Sequence, residues 1–418
     1  MAQLATKLDV VSAPEGTACS GLARLPQITI DVFCQTPATR EAVGRTIADR
    51  RMARARCNVH AGGPAEAIGC YERARSPNLI IVETHSELAE LHRELDSLAE
   101  VCDPATKVII IGRINDVSLY RDLLDRGVSE YLLAPLDALT LIRSIARLYQ
   151  EEGARKLGRT VAFVGAKGGV GSSVIAHNVA ASLGRLFSSE VILADLDLPF
   201  GSASLAFNLE PAQGIEEAIK GDDRVDDVLL ERLVAKRGEH LNVLPAPAAL
   251  DFSHAVPDNA FERLLDVTQA TVPFVVLDVP HVWADWTKRC LVSADEVVVT
   301  ATPDLTSLRN AKNLIELLRQ ARPNDAAPKL VLNQIGVPKR TEISANKFAS
   351  VLKIDPVVCV PFEPAGFSAA ESAGKTIAEC SSRTSASARI DDLAVLVSGR
   401  LQPQTKKSAL SFTRLWRK

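Results

Sequence analysis

Nowhere does an apolar stretch in this sequence reach the roughly 18 to 20 residues that a membrane-crossing helix needs. Charge of one sign is lacking too: the formal net charge of -3 over 418 residues argues against a chain that coats nucleic acid, so no specific nucleic-acid partner is expected. The eight cysteines are scattered, with no C-x-x-C pair and no Cys/His cluster at metal spacing, and reduced thiols are the expectation. The N-terminus has no basic start followed by an apolar core, so no signal peptide is expected. Together these absences lead to the expectation of a cytoplasmic protein.

What is present is a globular balance of 47% hydrophobic and 24% charged residues, over a length that suits two domains. Residues 1–26 carry Ala, Ser, Thr, Gly and Pro without sustained periodicity and read as a flexible leader. From 27 to 150, short apolar runs alternate with helical stretches. The runs are Ile28–Phe33, Ala55–Val59, Leu79–Val82, Lys107–Ile111 and Tyr131–Leu133, and the pattern predicts a compact parallel α/β unit. A second, larger α/β series occupies 151–400. Its strand candidates begin at Thr160–Val164 and continue with Val191–Ala194, Leu241–Leu244, Phe274–Leu277, Glu296–Thr300, Lys329–Leu332 and Val357–Val360. These runs do not alternate polar with apolar, as suits strands covered on both faces. Residues 401–418 turn polar and basic.

The candidate chemistry starts where the strand at Val161–Val164 meets Gly165-Ala166-Lys167-Gly168-Gly169-Val170-Gly171-Ser172-Ser173, followed by a helical stretch. Glycines let backbone amides turn toward an anion, and a helix N-terminus adds free N–H groups and a positive dipole end. The segment fits the phosphate-loop pattern G-x-x-x-x-G-K-[ST] except that Ser172 stands in the lysine position. Downstream, Asp195 and Asp197 sit at a strand end, where ligands of open parallel sheets gather; capping of the following turn is the alternative use of such acids. Asp278 ends the apolar run Phe274–Leu277, a Walker B pattern in which a carboxylate holds Mg²⁺ through water.

The loop resembles the deviant Walker A of the MinD/ParA and nitrogenase-iron-protein class, which carries an additional lysine early in the loop, at the place of Lys167. That resemblance implies an ATP and Mg²⁺ site and a P-loop NTPase sheet flanked by helices. It also implies a homodimer sandwiching ATP, with Lys167 reaching the partner's phosphates. Ser173 and Asp195 would meet Mg²⁺, Asp197 would position the attacking water, and Gly165, Lys167, Gly168, Gly169, Val170, Gly171 and Ser172 would cradle the phosphates. Asn333, after Leu332, resembles the asparagine that reads the adenine edge, although a turn-forming role is open to it. Pro361 resembles part of the loop that packs on the base. A neutral Ser172 removes a charge-assisted phosphate contact, which should cost a few kcal/mol, roughly two orders of magnitude in rate, so slow hydrolysis is expected.

The 27–150 unit resembles a response-regulator receiver, a flavodoxin-like fold, but in degenerate form. Cys34-Gln35 stands where the acidic pair belongs, Glu83 at the phosphoacceptor place, Gly112 at the Ser/Thr place and Ala134-Pro135 where a lysine should precede proline. Phosphorelay chemistry is therefore not expected, and docking or dimerisation fits better. Glu83 reads as a solvated strand-end carboxylate, with mimicry of a phosphorylated state as the alternative.

The combination, with Asp278-Val279-Pro280-His281 after the second series, is similar to the CpaE/TadZ family. The resemblance implies an ATP-dependent dimer switch that places or assembles Flp/Tad-type pilus machinery at a cell pole. Its implied partners are the pilus secretion ATPase and inner-membrane pilus proteins. A positioning ATPase for another cargo and a nucleotide-independent scaffold are the competing readings. The basic tail carries Ala409, Phe412 and Trp416 at helical spacing and is a candidate for peripheral membrane contact, or a plain solvated end. His281, Trp283 and Trp286 read as core packing of a turn, with a partner surface as the other use.

Overall fold

The computed structural model describes residues 25, 27–149, 157–211, 213–220, 225–247, 260–381 and 384–400. The leader before Leu25 and the basic tail 401–418, with its candidate membrane contact, lie outside the described residues. By internal contacts the chain divides into two units, Met1–Ala154 with Arg319–Ala327, and Arg155–Leu318 with Pro328–Lys418. None of the described helices is long and apolar enough to cross a membrane.

The first unit holds β1 (Thr29–Cys34), β2 (Arg56–Ala61), β3 (Leu79–Glu83), β4 (Lys107–Gly112) and β5 (Glu130–Leu133). All neighbours are parallel, in the order β2-β1-β3-β4-β5, the doubly wound arrangement with helices on both faces. Successive residues of β3 show why its sequence does not alternate: Leu79 and Ile81 enter one core, Ile80 and Val82 the other. Leu25 is buried in the first of these cores, and its N–H donates to the Arg51 carbonyl, so packed structure begins within the span read as a leader. In the unit's second segment, Asp325 pairs with Arg50 at 2.7 Å, with Arg322 at 3.1 Å and with Arg51.

Glu83 is not a solvated strand-end carboxylate. It is 1% exposed and accepts from the Gln35 and Thr36 amides at 2.7 and 2.8 Å, and from the Thr36 and Thr39 hydroxyls at 2.6 and 2.7 Å. Burial works to raise its pKa, but these donors outweigh it and hold the carboxyl below its ordinary range. The reason is topological. Glu83 ends β3 beside β1, whose exit leads through Gln35 and the N-cap Thr36 into the helix Pro37–Ile47, so the acid meets the amides just ahead of that helix and the hydroxyls of its first turn.

The second unit is an eight-stranded sheet. Its strands are β6 (Arg159–Gly165), β7 (Val191–Asp195), β8 (Ala235–Arg237), β9 (Leu241–Leu244), β10 (Phe274–Val279), β11 (Glu296–Ala301), β12 (Lys329–Ile335) and β13 (Pro356–Pro361). The order is β13-β12-β11-β6-β10-β7-β9-β8, and only β8 runs antiparallel to its neighbour. Both faces are covered: Ala162 and Val164 of β6 enter one core, Val161 and Phe163 the other. The short edge strand β8, Ala-Lys-Arg, has no apolar run to announce it and was not anticipated. With β6 central and flanked by β10 and β11, its C-terminal end opens onto the crevice where parallel sheets bind ligands.

Candidate functional site

β6 runs into the loop Gly165–Gly171, and the helix Ser172–Phe187 starts immediately after it. Gly171 caps that helix at φ +83°, and an added Cβ would lie 2.6 Å from Asn333 Nδ2. Only glycine fits there without strain. The loop's carbonyls are anchored from outside. Asn333 Nδ2 donates to Val170 O at 2.9 Å, Gln334 Nε2 to Gly169 O at 3.2 Å, and Asn310 Nδ2 to Ala166 O at 3.0 Å. His281 Nδ1 lies 3.0 Å from Gly165 O. Because a trans peptide sends its N–H opposite its C=O, these anchors turn the amides of Lys167, Val170 and Gly171 the other way, as an anion cradle requires.

Lys167 lies in this loop, and its Nζ pairs with Asp304 Oδ2 at 3.0 Å. Asp304 in turn receives the Thr302 hydroxyl at 2.6 Å and the Ser307 amide at 2.9 Å, at the start of the helix Leu305–Ala321. Burial pushes the Asp304 carboxyl up, but Thr302, Ser307 and Lys167 together overcome this and hold it at about 2. Ser172, in the lysine position, leaves its Oγ buried with no hydrogen-bond partner among the described residues. Gly168 and Gly169 are exposed, while Ser173 is half-buried.

The acids meet across paired strands. Asp195 ends β7 and stands in register with Asp278 of β10, and both are buried. Asp195 accepts from Asp197 N at 3.1 Å and Ala203 N at 2.9 Å, and half-buried Asp197 accepts from Phe200 N at 3.3 Å. The turn-capping use of these acids is therefore real and coexists with their position at the crevice. Burial, then the neighbouring Asp278 charge, pushes the Asp195 carboxyl up to about 6. Burial also raises Asp197.

A separate cavity of about 160 Å³ is lined by Gly171, Val174, Asn333, Pro361, Phe362 and Phe367. It adjoins the loop and has a largely apolar wall, which suits a flat ring. Asn333 spends its Nδ2 on the loop, so its amide serves structure as well as facing this cavity.

Two residues of this region escaped the sequence reading. His177, on the helix after the loop, is buried with its Nε2 3.2 Å from Asp278 Oδ2. A lone histidine inside an otherwise apolar helix face was the available signal. The pairing of Asp304 with Lys167 depends on a contact about 140 residues apart that periodicity cannot report. The core-packing reading of the Walker B turn holds for Trp286, whose ring lies tilted against Phe261 with centroids 4.8 Å apart, and fails for Trp283, which is 55% exposed beside Val282 at 58%. Trp283 and exposed His281 border a cavity of about 360 Å³ that also meets Gly165, Leu291, Asn310 and Leu314.

Residues 158–330 match the AAA domain family AAA_31. The crystal structure of a pilus assembly protein CpaE from Caulobacter crescentus is similar to the N-terminal part of this chain at 46% identity. That match covers 30% of this chain and 97% of that one, with a TM-score of 0.30. A septum site-determining protein MinD from Pyrococcus horikoshii, complexed with Mg-ADP, shares the fold at 18% identity, covering 58% of this chain and 96% of that one with a TM-score of 0.52. An uncharacterised ATP-binding protein of Methanocaldococcus jannaschii is 23% identical over 254 residues, 60% of this chain and 92% of its own length.

Proposed function

This chain belongs to the CpaE-type group of MinD/ParA-like ATPases, and on that premise we propose that it is an ATP-dependent dimer switch for pilus assembly, with weak ATPase activity. The observation that carries the proposal is the loop Gly165–Gly171, its carbonyls tied back by Asn333, Gln334 and Asn310 at the C-terminal end of the central strand. Such a loop presents amides to a phosphate chain, and the adjoining cavity offers a place for the base.

The residues present fit both ATP and Mg²⁺. A Cβ at Gly171 would displace the Asn333 amide that anchors the cradle, and Asp195 and Asp278 bury two carboxylates side by side. Ser173, Asp195 and Asp278 would hold the ion, which neutralises phosphate charge when bound. The chain's own groups do the remainder. Loop amides bind the phosphates, Asp197 orients a water, and Pro361 with Phe362 covers the base. Lys167, released from Asp304, supplies its cation across the dimer. Ser172 contributes no charge, which is why turnover is proposed to be slow relative to binding.

The proposed setting is the cytoplasmic side of a cell pole, with the pilus secretion ATPase and inner-membrane pilus proteins as partners. The identity of the N-terminal part to the CpaE protein supports this choice of cargo. Isothermal titration of the full chain with Mg²⁺–ATP tests the reading at its base. Saturable binding that is weakened by Lys167→Ala supports it, and no heat of ATP binding to the wild type removes it.

A further inference from the structure

Beneath the phosphate loop, three elements bring three buried ligand-type side chains together. They are His177 from the helix Ser172–Phe187, Asp195 from the end of β7 and Asp278 from β10, and one donor atom of each lies within 4.8 Å of the others. Isolated buried carboxylates cost several kcal/mol each unless a cation or hydrogen bonds compensate. Asp195 has its two backbone donors, but these do not balance the charge of a second acid in register beside it.

His177 supplies an independent observation. Its side chain is 5% exposed, and its Nε2 faces Asp278 Oδ2 at 3.2 Å, yet that nitrogen makes no hydrogen bond among the described residues. The carboxylate is close to the ring nitrogen but off the line a hydrogen bond needs. Two ligands that share one ion about 2.1 Å away stand roughly 3.0 to 3.4 Å apart at octahedral or tetrahedral angles, so this spacing is what a shared cation asks for. The widest separation in the cluster, up to 4.8 Å, exceeds that range, so binding an ion requires a carboxylate to rotate toward it.

We propose that His177, Asp195 and Asp278 form a divalent transition-metal site below the phosphate loop, in which the imidazole makes Mn²⁺ or Co²⁺ preferred over Mg²⁺. Mg²⁺ favours an all-oxygen octahedron, whereas a mixed imidazole and carboxylate set suits first-row transition ions. The inference deepens the nucleotide reading and rests on it for the role of the two acids there, but their position is set by the paired strands and the site does not require ATP to be bound. It makes His177 the residue that selects the ion those acids meet.

The test uses the full chain, stripped with a chelator and titrated with Co²⁺ and with Mn²⁺ in the absence of nucleotide. The expected result is one tight Co²⁺ per chain, resistant to a tenfold excess of Mg²⁺, with binding weakened at least about tenfold by His177→Asn. Pulsed electron paramagnetic resonance of wild-type protein with Mn²⁺ should show coupling to an imidazole nitrogen, a readout that does not depend on the variant folding. An oxygen-only Mn²⁺ environment, or equal Co²⁺ affinity in a folded His177→Asn protein, overturns the site. Isothermal titration with Mg²⁺–ATP on the same preparation separates the two ideas. A nitrogen-ligated metal without ATP binding removes the nucleotide reading alone, and ATP binding without a nitrogen-ligated metal removes this inference alone.

Discussion

Lys167 Nζ sits 3.0 Å from Asp304 Oδ2, so the lysine proposed to cross to a partner subunit is occupied within its own chain. The two side chains are 35% and 29% exposed, and an ion pair this open is worth about 0–1 kcal/mol. A contact of that size holds the lysine without committing it, as an exchangeable latch should. Asp304 keeps two other donors, Thr302 and Ser307, so it survives the loss of Lys167 as a helix cap.

The titration of Asp304 follows from this arrangement. Its carboxyl is held at about 2, below the ordinary carboxylate value of 3.8, so the stability it contributes is present above that value and is lost as pH falls toward 2. Carbon NMR of the side chain should find the depressed pKa in the wild type. In Lys167→Ala it should move upward while remaining below the ordinary value. An unchanged Asp304 titration would mean that the pair does not form in solution.

Ser172→Lys restores the missing cation of the loop. Phosphate release with Mg²⁺–ATP should rise by roughly 10- to 100-fold, because a charge-assisted contact in the transition state is worth a few kcal/mol. Ser172→Ala should leave stability within about 1 kcal/mol, since the hydroxyl it removes has no hydrogen-bond partner among the described residues. Turnover assays and thermal melts of the two variants check these outcomes.

Gly171→Ala places a Cβ 2.6 Å from Asn333 Nδ2 at a backbone φ of +83°. The backbone strain alone costs about 1–3 kcal/mol, and the displaced Asn333 releases the Val170 carbonyl. ATP affinity should fall at least about tenfold by isothermal titration while circular dichroism keeps its α/β signature. Full affinity in this variant would show that the loop does not act as the cradle.

Glu83→Ala strands the donors of Gln35, Thr36 and Thr39 in a buried site, which should destabilise the first unit by about 2–4 kcal/mol. Its carboxyl lies below the model-peptide range, so the stabilisation is complete above pH 4.5 and is lost as pH falls below that value. Denaturant unfolding at pH 7 and at acid pH checks both statements. A Glu83→Asp protein with equal stability would contradict the four-donor account, because the shorter side chain cannot reach all of them.

Many of the strands were readable because they are buried on both faces and appear as bare apolar runs, such as Leu79–Val82 and Phe274–Leu277. The phosphate loop was readable because its glycines carry the backbone conformation itself. The edge strand β8, with Lys236 and Arg237, was not readable, because it carries no apolar run. Nor were partners distant in the chain. Glu83 reads as a surface acid until β1 and β3 are placed side by side, and His177 gains its neighbour Asp278 only when β10 is set against its helix. Trp283 failed for the opposite reason, since an aromatic residue in a short turn gives no sign of which way it faces.

The central claim, an ATP-dependent dimer switch, is tested most directly by light-scattering mass of the full chain with Mg²⁺–ATP, with ADP and without nucleotide, recording phosphate release on the same samples. The account predicts a dimer with ATP alone, slow phosphate release, and loss of that dimer in Lys167→Ala. A dimer in every condition with negligible turnover would contradict it and point to a constitutive scaffold.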